Sequence, residues 1–484
     1  MPVYGQSLSL LTDLYELTMA YGYWKRGFAH KEAVFHLFFR KKPFNGTFAI
    51  AAGLQPVLEA LKDFHYTDSD LAYLARLKGT DGKALFEGAF LDYLKALKFC
   101  CDIDAVPEGT PMFPSEPLIR VQGPLIQAQL IESLLLNIVN FQSLIATKAA
   151  RICYAAFPDP IIEFGLRRAQ GIDGSLSASR GAYIGGVEAT SNVLAGKLFG
   201  IPVKGTHAHS WIMSFEDEEE AFLTWGQQMP GNVIFLVDTY DSIEGAKKAI
   251  KVAKKLRAQK IEMTGIRLDS GDLTYLSIEI RKLLDAAGFE KVEIMASNEL
   301  DEHIIQDLKR QGARIDAWGV GTNLVTGRDQ PALDGVYKLS ALRNSEKDRW
   351  SYKMKISEQP IKITTPGILQ VRRFKGAQEY SADMIYNSAD KGLPGHLMID
   401  LLEITKIKRI DHETPYQDLL IPVMRQGKVV YDYPELDKIR ERTLQELSLF
   451  HPATRRFLYP QPYFTGLEKS LHELKVSMIE KLNR

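Results

Sequence analysis

Between Pro160 and Leu324 one pattern recurs: a short apolar run, a polar or glycine-rich end, then an amphipathic helical stretch. Val233–Val237 is wholly apolar and ends at Asp238-Thr239. Ile243, Ala246, Ile250, Ala253 and Leu256 follow at spacings of three and four, one face of a helix. Ile261–Leu268 ends at Asp269-Ser270-Gly271-Asp272, and the helix after it stops near Gly288. Val292–Ala296 leads into Ser297-Asn298 and a helix ending at Gly312, and Ile315–Trp318 leads into Gly319-Val320-Gly321-Thr322-Asn323. Upstream, Ile161–Phe164 precedes Gly165-Leu166-Arg167-Arg168, Ala182–Ile184 precedes Gly185-Gly186, and Ile201–Lys204 precedes Gly205-Thr206-His207-Ala208-His209. Strands buried on both faces and alternating with helices form a parallel sheet with right-handed crossovers. Seven such strands, none reading as an antiparallel edge, predict an α/β fold built as a (β/α) barrel. Its ligand site should lie at the C-terminal strand ends, where the polar clusters fall.

The flanks read differently. Residues 1–125 mix helices with strands such as Ala33–Phe39, and residues 345–484 carry short strands around Ile361–Arg373 before helices from Glu435 and Leu467. The expected organisation is therefore an N-terminal α/β segment (1–125), a barrel domain (126–344) and a C-terminal segment (345–484) packing with the first. A length of 484 residues suits roughly two to four domains. Lys plus Arg and Asp plus Glu each total 60, which leaves no net charge for a nucleic-acid coat or a polybasic membrane surface. Leu125–Ile145, the most apolar stretch, is interrupted by Glu132, Asn137, Asn140 and Gln142 and reads as a buried helix rather than a membrane span. Three cysteines cannot form a disulfide framework; with no basic-then-apolar leader at the start, the expected setting is the cytoplasm.

Several strand-end residues can carry chemistry. The Gly319/Gly321 loop opens a short helix and suits a phosphate, against the plainer reading of a tight turn. His207 and His209, two apart on a strand end, would share a face; they suit a metal pair, a nucleophile or base, or merely a hydrogen-bonded rim. Asp238, Asp269 and Asp272 suit Mg²⁺ or sugar hydroxyls, or cap the helices that follow. Arg267, inside a strand, is costly unless it meets an anion, and Arg167 and Arg168 add positive charge; salt bridges to the aspartates are the alternative. Ser214 and the acidic run from Glu216 to Glu220 read as a capping box and a solvated first turn. Tyr15, in Thr12–Thr18 at a helix start, reads alone as core or interface packing.

Taken together, Thr12–Ala20, Phe164–Gly171, Gly185–Asn192, Gly205–Trp211, Val237–Ser242, Gly265–Leu273, Ser297–Glu302 and Trp318–Thr326 resemble the nicotinate phosphoribosyltransferase family. The resemblance implies a type II phosphoribosyltransferase fold, an irregular (β/α) barrel with an additional α/β domain formed from the N- and C-terminal segments. It implies that nicotinate and phosphoribosyl pyrophosphate give nicotinate mononucleotide and pyrophosphate with coupled ATP hydrolysis, opening NAD salvage, in a homodimer with active sites near the interface. By the same resemblance His209 is the residue ATP phosphorylates, and His209, Arg267 and Asp269 form the catalytic set. Arg267 pairs with the nicotinate carboxylate beside Thr206, and Tyr15 stacks on the pyridine ring from the partner subunit. Gly319, Gly321 and Thr322 hold the ribose 5-phosphate, Arg167 faces the anionic substrates, and Asp238 and Asp269 face the ribose and Mg²⁺. With no cysteine after Cys153, no zinc module is expected. The rivals are a nicotinamide or quinolinate phosphoribosyltransferase, a metal-dependent barrel hydrolase built on His207 and His209, and a non-catalytic binder of phosphate ligands.

Overall fold

The computed structural model describes residues 7–390 and 395–482. It divides into two compact units, Met1–Leu144 with Ala332–Arg484, and Ile145–Pro331. These boundaries fall at 144/145 and 331/332 where the sequence reading set 125/126 and 344/345. The reasons are local. The first lies inside one continuous helix, Glu132–Ala156, and the strand Gly335–Arg343 pairs along its whole length with Glu32–Phe39. The helical stretch Leu125–Ala156 is long and apolar enough to cross a membrane, yet 67% of its most apolar window is buried within the protein.

The unit from Ile145 to Pro331 holds a six-stranded sheet in the order Ala189–Thr190, Ile161–Glu163, Ala317–Val320, Glu293–Asn298, Gly265–Leu268, Ile234–Leu236. All five pairings are parallel, as the repeated strand-helix pattern requires. The segment after the strand Ala189–Thr190 runs along both sheet edges. Val203 bridges Thr190 in parallel, Asn232 Nδ2 donates to the Gly205 carbonyl (2.9 Å), and the Leu236 N–H donates to His207 Nε2 (3.3 Å). One expected strand is corrected: Ala182–Ile184 forms the last turn of the helix Ile172–Ile184, closed by Gly185 and by Gly186 at φ +116. Three apolar residues in a row fit a buried helix end as well as a strand. The strand there is instead the residue pair Ala189–Thr190.

In the other unit strands that precede residue 145 pair with strands that follow residue 331. A seven-stranded antiparallel sheet runs Ser351–Tyr352, Gly335–Arg343, Glu32–Phe39, Ile119–Pro124, Asp102–Ala105, Ile421–Arg425, Lys428–Val429. A second sheet of six strands draws wholly on residues 369–468 and contains one parallel pairing, Tyr380–Asn387 with Thr465–Glu468. A large apolar core includes Phe35, Leu37, Phe90, Ile103, Val121, Val371 and Leu471, all buried.

The polar centre of this unit is Arg373, fully buried in the strand Leu369–Lys375. Its Nε donates to both Asp383 oxygens (3.0 and 3.1 Å), and its Nη2 donates to the Pro111 carbonyl (2.8 Å). Phe113, Tyr380 and Phe450 lie 5.9, 5.2 and 5.2 Å from the guanidinium. Such a group is tolerated in the interior because its charge is met by Asp383 and, 3.5 Å from Nη1, by Glu446, while Nε and Nη2 are hydrogen-bonded. Arg373→Met would strand the buried Asp383 carboxylate and should lower the unfolding free energy by about 3–5 kcal/mol. Urea titration measures this, and a loss below about 1 kcal/mol would refute the assignment.

Candidate functional site

The polar residues after the parallel strands collect at the sheet's C-terminal end. Arg267 is the third residue of Gly265–Leu268. Its Nη1 donates to Thr206 Oγ1 at 2.7 Å, while its Nε is buried without a hydrogen-bond partner. Burial pulls its pKa below the ordinary arginine value, and Asp269 and Asp238 oppose that pull. Arg167, in the short helical turn Leu166–Arg168, adds positive charge that acts on Arg267. Arg168 is exposed.

His207 and His209 part company, contrary to the shared face expected of them. The strand geometry has ended by residue 207, and His209 opens the short helix His209–Met213. His207 is buried; it accepts the Leu236 N–H through Nε2 and packs edge-on to Trp225, 5.0 Å between ring centroids. His209 points instead at Thr239 and Asp269, with Nδ1 3.2 Å from Thr239 Oγ1 and Nε2 3.7 Å from Asp269 Oδ2. No cluster of three or more His, Cys, Asp or Glu suited to a metal ion occurs among the described residues. The hydrolase alternative loses its metal pair on this geometry.

Two aspartates fix the loop beside His209. Asp238 Oδ2 accepts the Asp269 N–H (2.8 Å) and the Ser270 hydroxyl (2.7 Å), and its Oδ1 is buried without a partner. Asp269 Oδ1 accepts the Ser297 hydroxyl at 2.5 Å, leaving Oδ2 toward His209. Asp272 caps the helix Leu273–Ala286 by accepting the Tyr275 N–H (3.0 Å), the plainer of its two readings. Ser214 ends one helix and Asp217 opens the next without a side-chain cap, so the expected capping box is not formed.

The glycine loop owes its composition to packing. A Cβ on Gly319 would lie 2.6 Å from the Phe164 ring, and one on Gly321 would lie 3.2 Å from the Phe164 carbonyl. Thr322 Oγ1 donates to Glu299 Oε1 at 3.2 Å, and Asn323 Nδ2 ties the same loop to the Glu299 and Leu300 carbonyls. Glycines at these places let two strand-end loops lie flush, which leaves the backbone free to meet a ligand as well.

Tyr15 belongs to the other unit, on the helix Leu14–Lys25, and is 45% exposed beside exposed Leu11, Leu14 and Met19. Burial of its hydroxyl and the nearby Glu132 raise its pKa. Glu16 anchors this helix by accepting the Ser133 N–H at 3.0 Å.

Sequence reading missed Thr239, Ser297 and Glu163 as site residues. Each is a short polar group at a strand end, flagged by position alone. It also missed a cavity of about 80 Å³ in the other unit, lined among others by His36, Arg40, Ser115, Lys338, Thr365 and Lys475. Burial pulls Lys475 down to about 8 there. Its basic residues are scattered from 36 to 475, so no local motif announces them.

Family models match three successive stretches: the nicotinate phosphoribosyltransferase N-terminal domain over residues 10–140, the family itself over 160–373, and the C-terminal domain over 370–475. The nicotinate phosphoribosyltransferase of Bacillus subtilis is 42% identical over 488 residues, with 98% of each chain covered. The crystal structure of human nicotinic acid phosphoribosyltransferase superposes with a TM-score of 0.82 at 32% identity, covering 96% of this chain and 99% of the human one. The nicotinate-nucleotide pyrophosphorylase of Pyrococcus furiosus shares the fold, at a TM-score of 0.68 and 22% identity over 93% of this chain and 99% of that one.

His207 makes the site's frame sensitive to acid. Burial pulls its pKa from 6.5 to about 4. Between those values the unfolded chain binds a proton that the folded chain refuses, so stability falls as pH drops through that window. His207→Gln keeps an acceptor but does not titrate. Its unfolding midpoint should change less between pH 7 and 4.5 than that of the wild type, and equal changes would refute the role.

Proposed function

Because the chain belongs to the nicotinate phosphoribosyltransferase family, we propose that it joins nicotinate to phosphoribosyl pyrophosphate, releasing pyrophosphate and forming nicotinate mononucleotide. The observation that carries this reading is Arg267, a largely buried guanidinium with an unpaired Nε–H in a polar rim. Such a group is stabilised by an anion, and the single carboxylate of nicotinate supplies one. Nicotinamide offers no charge, and quinolinate would bring a second carboxylate. Thr206, already hydrogen-bonded to Arg267, sets the edge of the slot. A tyrosine stacking on the pyridine ring completes it, and Tyr15 fills that role from a second copy, in a homodimer with active sites near the interface.

Breaking the ribose C1–O bond builds positive charge on the sugar and negative charge on pyrophosphate. Arg167 faces that leaving group, while Gly319, Gly321 and Thr322 take the 5-phosphate. Asp238, through its unpartnered Oδ1, and Asp269 fit a Mg²⁺ ion held by one or two carboxylates plus substrate phosphates, an ion that would offset the pyrophosphate charge. The pyridine nitrogen is a modest nucleophile, so holding it in line with C1 is the protein's main contribution.

ATP enters through His209. Asp269 takes the Nε2–H, which leaves the Nδ1 lone pair to attack the γ-phosphorus of ATP; ADP departs, and water later removes the phosphoryl group as phosphate. A phosphorylated His209 adds roughly two negative charges beside the arginines and reorganises them around phosphoribosyl pyrophosphate. The setting is NAD salvage in the cytoplasm, in line with three free cysteines.

His209→Ala should abolish stimulation by ATP and leave a slower basal transfer; an unchanged ATP response in product assays would reject the phosphohistidine. Arg267→Ala should cut kcat/KM for nicotinate at least about tenfold, and far less for nicotinamide. Parallel assays with nicotinate, nicotinamide and quinolinate, each with and without ATP, test the activity itself, and equal losses would remove the carboxylate role.

A further inference from the structure

We propose that Glu163 is a positioning residue that sets the spacing between the Arg167 loop and the Gly319–Thr322 loop, and thereby the affinity for phosphoribosyl pyrophosphate; this rests on the transferase reading above. Glu163 ends the strand Ile161–Glu163 and is 1% exposed. Its partners are donors from three places in the chain. Oε1 accepts the Gly165 N–H. Oε2 accepts the Ser179 hydroxyl (2.9 Å) and the Thr190 hydroxyl (2.5 Å). Thr190 Oγ1 in turn accepts the Asn192 N–H (2.9 Å), and Asn192 Oδ1 accepts the Ala195 N–H (3.2 Å).

The consequence lies two residues downstream. The bond to Gly165 fixes the backbone immediately before Leu166–Arg168. That backbone also lies close against Val325, because a Cβ on Gly165 would meet Val325 Cγ1 at 2.2 Å and Cγ2 at 2.6 Å. Val325 closes the short helix Thr322–Val325 that the glycine loop opens. The Phe164 N–H donates to the Val320 carbonyl at 2.8 Å, and Gly319 and Gly321 lie against Phe164. One carboxylate therefore holds one loop, and packing transmits its position to the other. Both loops are assigned to phosphate groups of the same substrate, whereas Arg267, the carboxylate-pairing residue of the nicotinate slot, lies on Gly265–Leu268, a strand that does not pair with Ile161–Glu163.

The prediction is a selective loss. Glu163→Ala should raise both KM and the calorimetric Kd for phosphoribosyl pyrophosphate about tenfold, with KM for nicotinate and kcat within about twofold of wild type. Glu163→Gln, which keeps an acceptor for Gly165 and can donate to the two hydroxyls, should recover most of that loss. Thr190→Val, which leaves the carboxylate in place, should give a smaller effect of the same kind and guards against a Glu163→Ala protein that does not fold. Equal losses for both substrates, a fall in kcat alone, or no recovery with Gln would overturn the assignment. Binding is read without turnover. Wild-type protein that binds phosphoribosyl pyrophosphate but makes no nicotinate mononucleotide would reject the transferase reading while leaving this inference to its binding result. A wild type that does not bind it would reject both.

Discussion

A parallel sheet points every strand the same way, so all its C-terminal ends open on one side. Their polar side chains must find partners there or meet a ligand. In this protein the crowding is resolved by carboxylates. Asp238 holds the Asp269 N–H, Asp269 takes the Ser297 hydroxyl, and Glu163 gathers Gly165, Ser179 and Thr190. Each tie joins neighbouring strand ends or a strand end to its own loop, except that Ser179 joins the end of Ile161–Glu163 to the helix that follows it. At this end of the sheet these ties leave the Nε of Arg267 and Oδ1 of Asp238 without a hydrogen-bond partner, beside a half-exposed His209.

Much of the parallel unit could be read from residues because its signal is local. Val233–Val237 contains the strand Ile234–Leu236, and Val292–Ala296 overlaps Glu293–Asn298. Reading failed where the local signal is ambiguous or absent. Ala182–Ile184 is apolar in helix and strand alike, and Ala189–Thr190 is too short to carry a period. His207 and His209 looked equivalent because a spacing of two assumes a strand that has already ended. In the unit that holds both terminal segments, the bond from Arg373 to the Pro111 carbonyl and the cavity around Lys475 depend on pairings across hundreds of residues, which no window of sequence reports.

Charge shows the same contrast between global and local. The protein is neutral overall, yet three buried or half-buried arginines serve opposite ends. Arg373 is ion-paired with Asp383 and bonded to the Pro111 carbonyl, and Arg372 is ion-paired with Asp418 at 2.8 and 2.9 Å. Arg267 keeps a donor unspent. A paired carboxylate neutralises each of the first two, whereas no carboxylate among the described residues forms an ion pair with Arg267. Composition cannot distinguish these cases, because the same residue type does both.

The pairing of distant segments in one sheet also bears on how the chain is made. Asp102–Ala105 takes Ile421–Arg425 as its antiparallel neighbour, while residues 145–331 form a continuous unit. At ~5–20 residues per second of synthesis, the earlier strand waits roughly a quarter of a minute to a minute for its partner. During that interval its edge is unpaired, and unpaired edges invite pairing with other chains. The inserted unit can meanwhile complete its sheet. The order of emergence from the ribosome therefore makes the two-ended unit the later to finish and the more dependent on protection during synthesis.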